Sequence, residues 1–165
     1  MKKTDVEKYQ KAALEYFEKA HIILTEEEKN RIEIADLGLN QFEHTGLAIL
    51  TYVNTERVCA KEMVLLPYQI CPEHMHPTFG NTLGKEETFR CRYGTISLHI
   101  TDDVTKEKKV LDLNPGDQYT LIPNTFHWFQ AGSEGAVVSE FSTQSTDHLD
   151  VFTNHAIVRE PKIEE

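Results

Sequence analysis

Apolar and polar positions along the chain follow two periods, one after the other. Up to about residue 38 the apolar residues keep helical spacing, with Val6, Tyr9, Ala13, Tyr16, Phe17 and Ala20 on one face. A second helix start follows at Thr25, whose hydroxyl can cap while Glu28 reaches back three residues later. The acidic run Glu26, Glu27 and Glu28 suits a helix N-terminus, and Gly38 is the expected stop. From Gly46 onward the period drops to two. GLAILTYVN, RVCAKEMVLL, ETFRCRYG, TISLHIT, QYTLIP and GAVVSEFS read as strands, separated by Asn, Asp, Gly and Pro. Short strands with no helices between them predict a mainly β fold, an antiparallel barrel or sandwich, with two short N-terminal helices outside its core. The expected division is a helical extension over 1–45 and a barrel over 46–165, together one structural domain. The stretch after Phe152 reads as an acidic surface strap with a frayed end.

Composition narrows the function. A chain of 165 residues with 39% hydrophobic and 27% charged residues suits one globular domain. The net charge of −10 repels phosphate backbones and acidic lipid surfaces, so neither nucleic acid nor membrane is an expected partner. A small neutral substrate fits better. The three cysteines, Cys59, Cys71 and Cys91, are scattered without CxxC spacing, which predicts reduced thiols. The N-terminal MKKTDVEKYQ has no apolar h-region, and no apolar run is long enough to span a bilayer. A cytoplasmic location is expected.

Candidate chemistry lies in three fragments. CPEHMHP sets His74 and His76 two residues apart, so an extended backbone aims both imidazoles at one face. GKEETFRCRYG offers Lys85 and Glu87 at the same spacing, ahead of Gly94. GDQYTLIPNTFHWFQAG carries Gly116, Asp117, Pro123 and then His127. Each fragment alone has an ordinary structural explanation: a surface histidine, a solvated charged loop, a histidine at the core edge. In this order they match the two-part signature of the cupin superfamily, a double-stranded β-helix or jelly-roll barrel. The chain departs from it in one place, where PTFGNTLGKE inserts extra residues between the histidine pair and the glutamate. Three imidazoles and one carboxylate suit a divalent Mn, Fe, Co, Ni or Zn ion and leave two adjacent octahedral positions open.

CPEHMHP, GKEETFRCRYG, PNTFHWFQAG, EGAVVSE and STDHLDVFT together resemble the short D-lyxose isomerases of the cupin superfamily. The resemblance implies a sugar ketol-isomerase acting on D-lyxose and D-xylulose, commonly also on D-mannose and D-fructose, with Mn(II) preferred. It implies that His74, His76, Glu87 and His127 hold the metal, and that the reaction passes through a cis-enediol. Periodicity leaves open which way Glu140 faces in VVSEFS; the resemblance assigns it the base, seated in an apolar barrel. It likewise supports Lys85 as the group handling charge or protons at the sugar oxygens. Asp147, His148 and Asp150 are candidates for the distal hydroxyls, Asp150 first. Phe89, Tyr93, Trp128 and Phe129 are core by default. His21, His44, His99 and His155 have no partner at ligand spacing. A homodimer is expected by analogy with other cupins. Two other readings fit the same ligands: an Fe(II)-dependent cupin dioxygenase, in which Lys85 and Glu140 have no role, and a non-catalytic sugar-binding cupin.

Overall fold

The computed structural model describes residues 1–102 and 104–163. Helix α1 (Lys3–Lys19) buries Ala13, Tyr16 and Phe17, the apolar face expected from the spacing. Helix α2 is only Glu26–Lys29, capped as its sequence predicts. Thr25 Oγ1 accepts from the Glu28 amide at 3.2 Å, and the Glu28 carboxylate accepts from the Thr25 amide at 2.8 Å. Gly38 therefore ends no helix. Ile32 and Ile34 are β-branched at two-residue spacing, and a sheet edge lies beside them, so Glu33–Ala35 forms strand β1.

The other strands are β2 (Leu47–Asn54), β3 (Cys59–Leu65), β4 (Ile70–Met75), β5 (Glu87–Thr101), β6 (Lys108–Leu113), β7 (Gln118–Leu121), β8 (Phe126–Ser142) and β9 (Val151–Phe152). ETFRCRYG and TISLHIT, read as two strands, are the single strand β5. Among the described residues the strands pair antiparallel in one sheet, ordered β1-β2-β3-β8-β4-β9, with β5 pairing β6, β7 and β8. Strand β8 meets β4 with its first half and β3 with its second, while β5 follows it along most of its length. One strand feeding three neighbours curls the sheet into a barrel. The register slips at Cys91/Tyr93 and at Gly94/Ile96, where β5 bends. A Cβ on Gly94 would sit 1.9 Å from the Gly135 carbonyl oxygen, so only glycine fits that crossing.

Two cores follow from the two-residue period. Leu47, Ile49, Met63, Leu65, Ala136 and Val138 point into the barrel. Their neighbours Ala48, Leu50, Val64 and Val137 point outward and are covered by Ala13, Tyr16 and Phe17 of α1. That is why these strands are apolar on both faces. The chain after Phe152 does form a strap: Val158 N–H donates to the Leu37 carbonyl at 2.9 Å, and Ile157 packs against the barrel core.

Candidate active site

The barrel interior gathers the residues that the motifs separate. His74 on β4 lies in cross-strand register with His127 on β8. His76 follows β4, and Glu87 opens β5. All four side chains are buried. The intervening loop returns at Gly84, where a Cβ would come within 2.1 Å of the His76 carbonyl oxygen. Only glycine allows that approach, and it delivers Lys85 and Glu87 beside His76. Asn124 holds the outer part of the loop, accepting from the Thr78 amide at 2.8 Å and donating to Thr78 Oγ1 at 2.9 Å.

Hydrogen bonding fixes how the imidazoles point. The Nδ1 of His74 meets the Pro72 carbonyl at 2.8 Å, and that of His127 meets the Thr125 carbonyl at 3.0 Å. Carbonyls only accept, so both Nδ1 atoms carry a proton, and in the neutral rings Nε2 is the atom that offers a lone pair. His76 Nδ1 meets Asp150 Oδ1 at 2.6 Å. Ligand atoms of the three histidines lie within 4.8 Å of one another. Glu87 Oε1 sits 3.0 Å from both His76 Nε2 and His127 Nε2. His127 Nε2 makes no hydrogen bond, although it is buried. Lone pairs brought face to face in a dry site call for a cation, and three nitrogens with one carboxylate oxygen suit a divalent metal. The carbonyl and carboxylate contacts behind the imidazoles are the kind that orient metal ligands.

Beside this cluster lies a network of charges. Lys85 Nζ is 2.9 Å from Glu87 Oε2, 3.0 Å from Glu140 Oε1 and 3.3 Å from Asp147 Oδ1. Lys61 of β3, opposite Glu140 in register, reaches Asp147 Oδ2 at 2.5 Å, Ser145 Oγ at 2.9 Å and Glu140 Oε1 at 3.8 Å. Burial pushes the Lys85 ammonium down, yet the carboxylates of Glu140, Glu87 and Asp147 outweigh it and hold its pKa well above 10.5. Burial would raise Glu87, but His76, Lys85 and His127 hold it well below 4.5. Asp147 is likewise held well below 3.8 by Lys85 and Lys61 against its burial. Burial and the His127 and His76 rings keep His74 well below 6.5. Atoms of His76, Asp147 and Asp150 also converge, but the two lysines already neutralise Asp147, which leaves that spot unsuited to a second cation.

His74, His76, Lys85, Glu87, Glu140, Asp147 and Asp150 all line one pocket, walled on its other sides by Leu47, Ile49, Met63 and Phe89 among others. Three placements differ from the sequence reading. Glu140 does not face apolar residues; two lysines and Ser142 Oγ surround its Oε1. Asp150 stands behind His76. Asp147 is tied to Lys61, Lys85 and Ser145. Phe89 and Phe129 line the pocket, while Trp128 stacks on His99 at a 3.7 Å ring separation. His148 is exposed. Sequence reasoning missed Arg159, which lines the pocket, and Lys61, which contacts the pocket residues Glu140 and Asp147. Lys61 had a legible signal, since it shares the strand face of Met63 and Leu65 in CAKEMVL. Arg159 had none.

Comparison with known proteins decides the family. A family model described as D-lyxose isomerase matches residues 81–165. The chain is 49% identical over 180 residues to "D-lyxose/D-mannose isomerase" of Thermosediminibacter oceani, covering 100% of this chain and 99% of that one. The chain belongs to the D-lyxose isomerase family. A second relative, "D-lyxose ketol-isomerase" of Thermofilum sp., is 50% identical over 173 residues and covers 96% of each chain. Members of the D-lyxose isomerase family are aldose–ketose isomerases, and so is this enzyme. Among solved structures, L-ribose isomerase of Cellulomonas parahominis matches with a TM-score of 0.77 at 16% identity, over 94% of both chains. That of Geodermatophilus obscurus matches with a TM-score of 0.78 at 14% identity, again over 94% of both. At such identities the likeness concerns the fold alone, and the fold is the expected cupin barrel.

Proposed function

We propose that this enzyme interconverts D-lyxose and D-xylulose, and also D-mannose and D-fructose, by moving a proton between C1 and C2 of the open-chain sugar. The observation that carries the reading is the Lys85–Glu140 pair, 3.0 Å apart and set beside the histidine–carboxylate cluster in one pocket. The names of the relatives point to the same substrates.

His74, His76, Glu87 and His127 would hold the divalent ion, Mn(II) first, with Co(II), Ni(II), Fe(II) or Zn(II) compatible with the same donors. Bound there, it supplies an electrophile for the carbonyl oxygen and its neighbouring hydroxyl. Glu140 removes the C2 proton of the aldose and returns it to C1. Its hydrogen bonds fall on Oε1, which leaves Oε2 for that proton. Lys85 hands a proton to the sugar oxygen that gains charge and recovers one from the oxygen that becomes the carbonyl. Asp150 orients His76, and Asp147 holds Lys85 in place. Lys61, Lys85 and Arg159 each already contact a carboxylate, so the pocket suits a neutral sugar better than a phosphosugar.

The test is a ketose assay on EDTA-treated protein with D-lyxose, with and without Mn(II), under air and nitrogen. D-Xylulose forms only with metal, equally in both atmospheres. No conversion of D-lyxose or D-mannose with Mn, Co, Ni or Zn would sink the reading, and a need for oxygen would favour a dioxygenase. In the same assay Glu140→Gln keeps fold and metal but loses about 10²–10⁴-fold in turnover, the usual worth of a general base. Full activity in that variant removes Glu140 from the mechanism.

A further inference from the structure

Two contacts carry the C-terminal strap across the barrel to the pocket. Val158 N–H bonds the Leu37 carbonyl, and the Val158 Cβ lies 3.3 Å from where a Cβ on Gly38 would stand. The next residue, Arg159, turns into the same pocket as the histidine cluster. Its side chain is only 18% exposed. One nitrogen donates to Glu33 Oε1 at 2.5 Å. Nη2 comes no nearer than 3.8 Å to Asp147 Oδ2, and neither Nη2 nor Nε makes a hydrogen bond to a described residue. A largely buried guanidinium with unused, rigidly forked donors is built to meet oxygen acceptors.

Contacts across the pocket run in sequence: Glu87 to Lys85 at 2.9 Å, Lys85 to Asp147 at 3.3 Å, Asp147 to Arg159 at 3.8 Å. Arg159 thus meets Asp147 at the carboxylate oxygen that Lys85 leaves free, and it holds no place among the histidines and Glu87. A sugar whose C1 and C2 lie at the cluster keeps its remaining hydroxyls inside the same pocket, which Arg159 also lines. We propose that Arg159 donates to the terminal hydroxyls of the sugar and thereby sets the preference between pentoses and hexoses. This rests on the isomerase reading above. A hexose carries one more carbon and hydroxyl at that end, so the two sugar classes meet the guanidinium differently.

The experiment compares wild type with Arg159→Gln, Arg159→Lys and Glu33→Gln, all metal-loaded. D-Lyxose and D-mannose serve as substrates, and D-arabinitol as a pentitol that cannot isomerise. Arg159→Gln raises KM for D-lyxose about tenfold and leaves kcat within about threefold, the size expected for losing one charge-assisted hydrogen bond. It also weakens calorimetric binding of the pentitol to a similar extent and shifts the ratio of kcat/KM between the two sugars. Arg159→Lys falls between. Glu33→Gln loosens the guanidinium's surface anchor and moves KM in the same direction by less. Arg159→Gln that melts like wild type, with KM, sugar ratio and pentitol affinity unchanged, overturns the proposal. Should that variant fail to fold, Arg159→Lys and Glu33→Gln decide on the same readouts. Wild type that binds the pentitol but converts no aldose would instead overturn the isomerase reading, while the binding comparison still judges Arg159.

Discussion

Lys61 shows how one buried charge is held beside this pocket. Its ammonium lies between Asp147, Ser145 and Glu140, and it shares Glu140 Oε1 and the Asp147 carboxylate with Lys85. Burial lowers its pKa, but the Glu140 and Asp147 carboxylates more than reverse that. Lys61→Met leaves Asp147 with a single close lysine and strands buried negative charge. The expected cost is about 3–5 kcal/mol, the usual penalty for breaking a buried pair. Urea denaturation of the metal-loaded protein measures it, and Lys61→Arg recovers part of the loss. The histidine pair, Glu87, His127 and Lys85 were all legible as residues, because their spacing reports the strand face. The partners of Glu140 were not. Nothing local to VVSEFS says that two lysines from distant segments will surround its carboxylate.

At the scale of elements, helix α1 and the loop before Lys85 do different work. Helix α1 covers the outer face of β2, β3 and β8, away from the pocket. Phe17→Ala empties a fully buried position there and costs about 3–5 kcal/mol, with kcat unchanged below the new melting point. Denaturant midpoints and a ketose assay at 25 °C check both halves of that statement. The loop acts on the site instead. A Cβ at Gly84 collides with the His76 carbonyl, so Gly84→Ala pushes Lys85 and Glu87 away from the histidines. Metal affinity then falls about 10–100-fold, the range seen when the supports of metal ligands are disturbed. A competition titration with a chromogenic chelator reads it. Strands β2, β3, β5, β7 and β8 and the capping box were visible in the sequence through their period and their end signals, whereas the short or mostly polar β1, β6 and β9 were not. The end of the second helix was not, because helical spacing and strand spacing overlap around Ile32 and Ile34, and the sheet edge beside them settles the matter.

Across the whole molecule the site couples stability to pH. Burial and the neighbouring rings hold His74 well below 6.5, so folding sheds its proton and stability is lost as pH falls below that ordinary value. Burial also opposes charge on His76, yet Glu87 and Asp150 lift its pKa to about 9. Its contribution is complete below the unfolded value of about 6.5 and is lost as pH rises through about 9. EDTA-treated protein therefore has its highest melting temperature near pH 6.5, where the two trends meet. If His76 is a ligand as proposed, saturating Mn(II) flattens the alkaline fall, because the ion would take the place of the proton on His76. A melting series over pH with and without Mn(II) checks this, and an apoprotein that gains stability steadily up to pH 9 would contradict it. The sequence by itself determined the strand-rich fold and the outer helix, through period and end signals that are local to the chain, and the order of its motifs marked the histidines and the glutamate that the pocket gathers. Only the tertiary structure decided that Lys61 and Glu140 share a charge network, that Asp150 backs His76, and that the C-terminal strap brings Arg159 to the pocket. Those contacts join residues far apart in the chain, and the curl of β8 between three neighbours is what closes the distance.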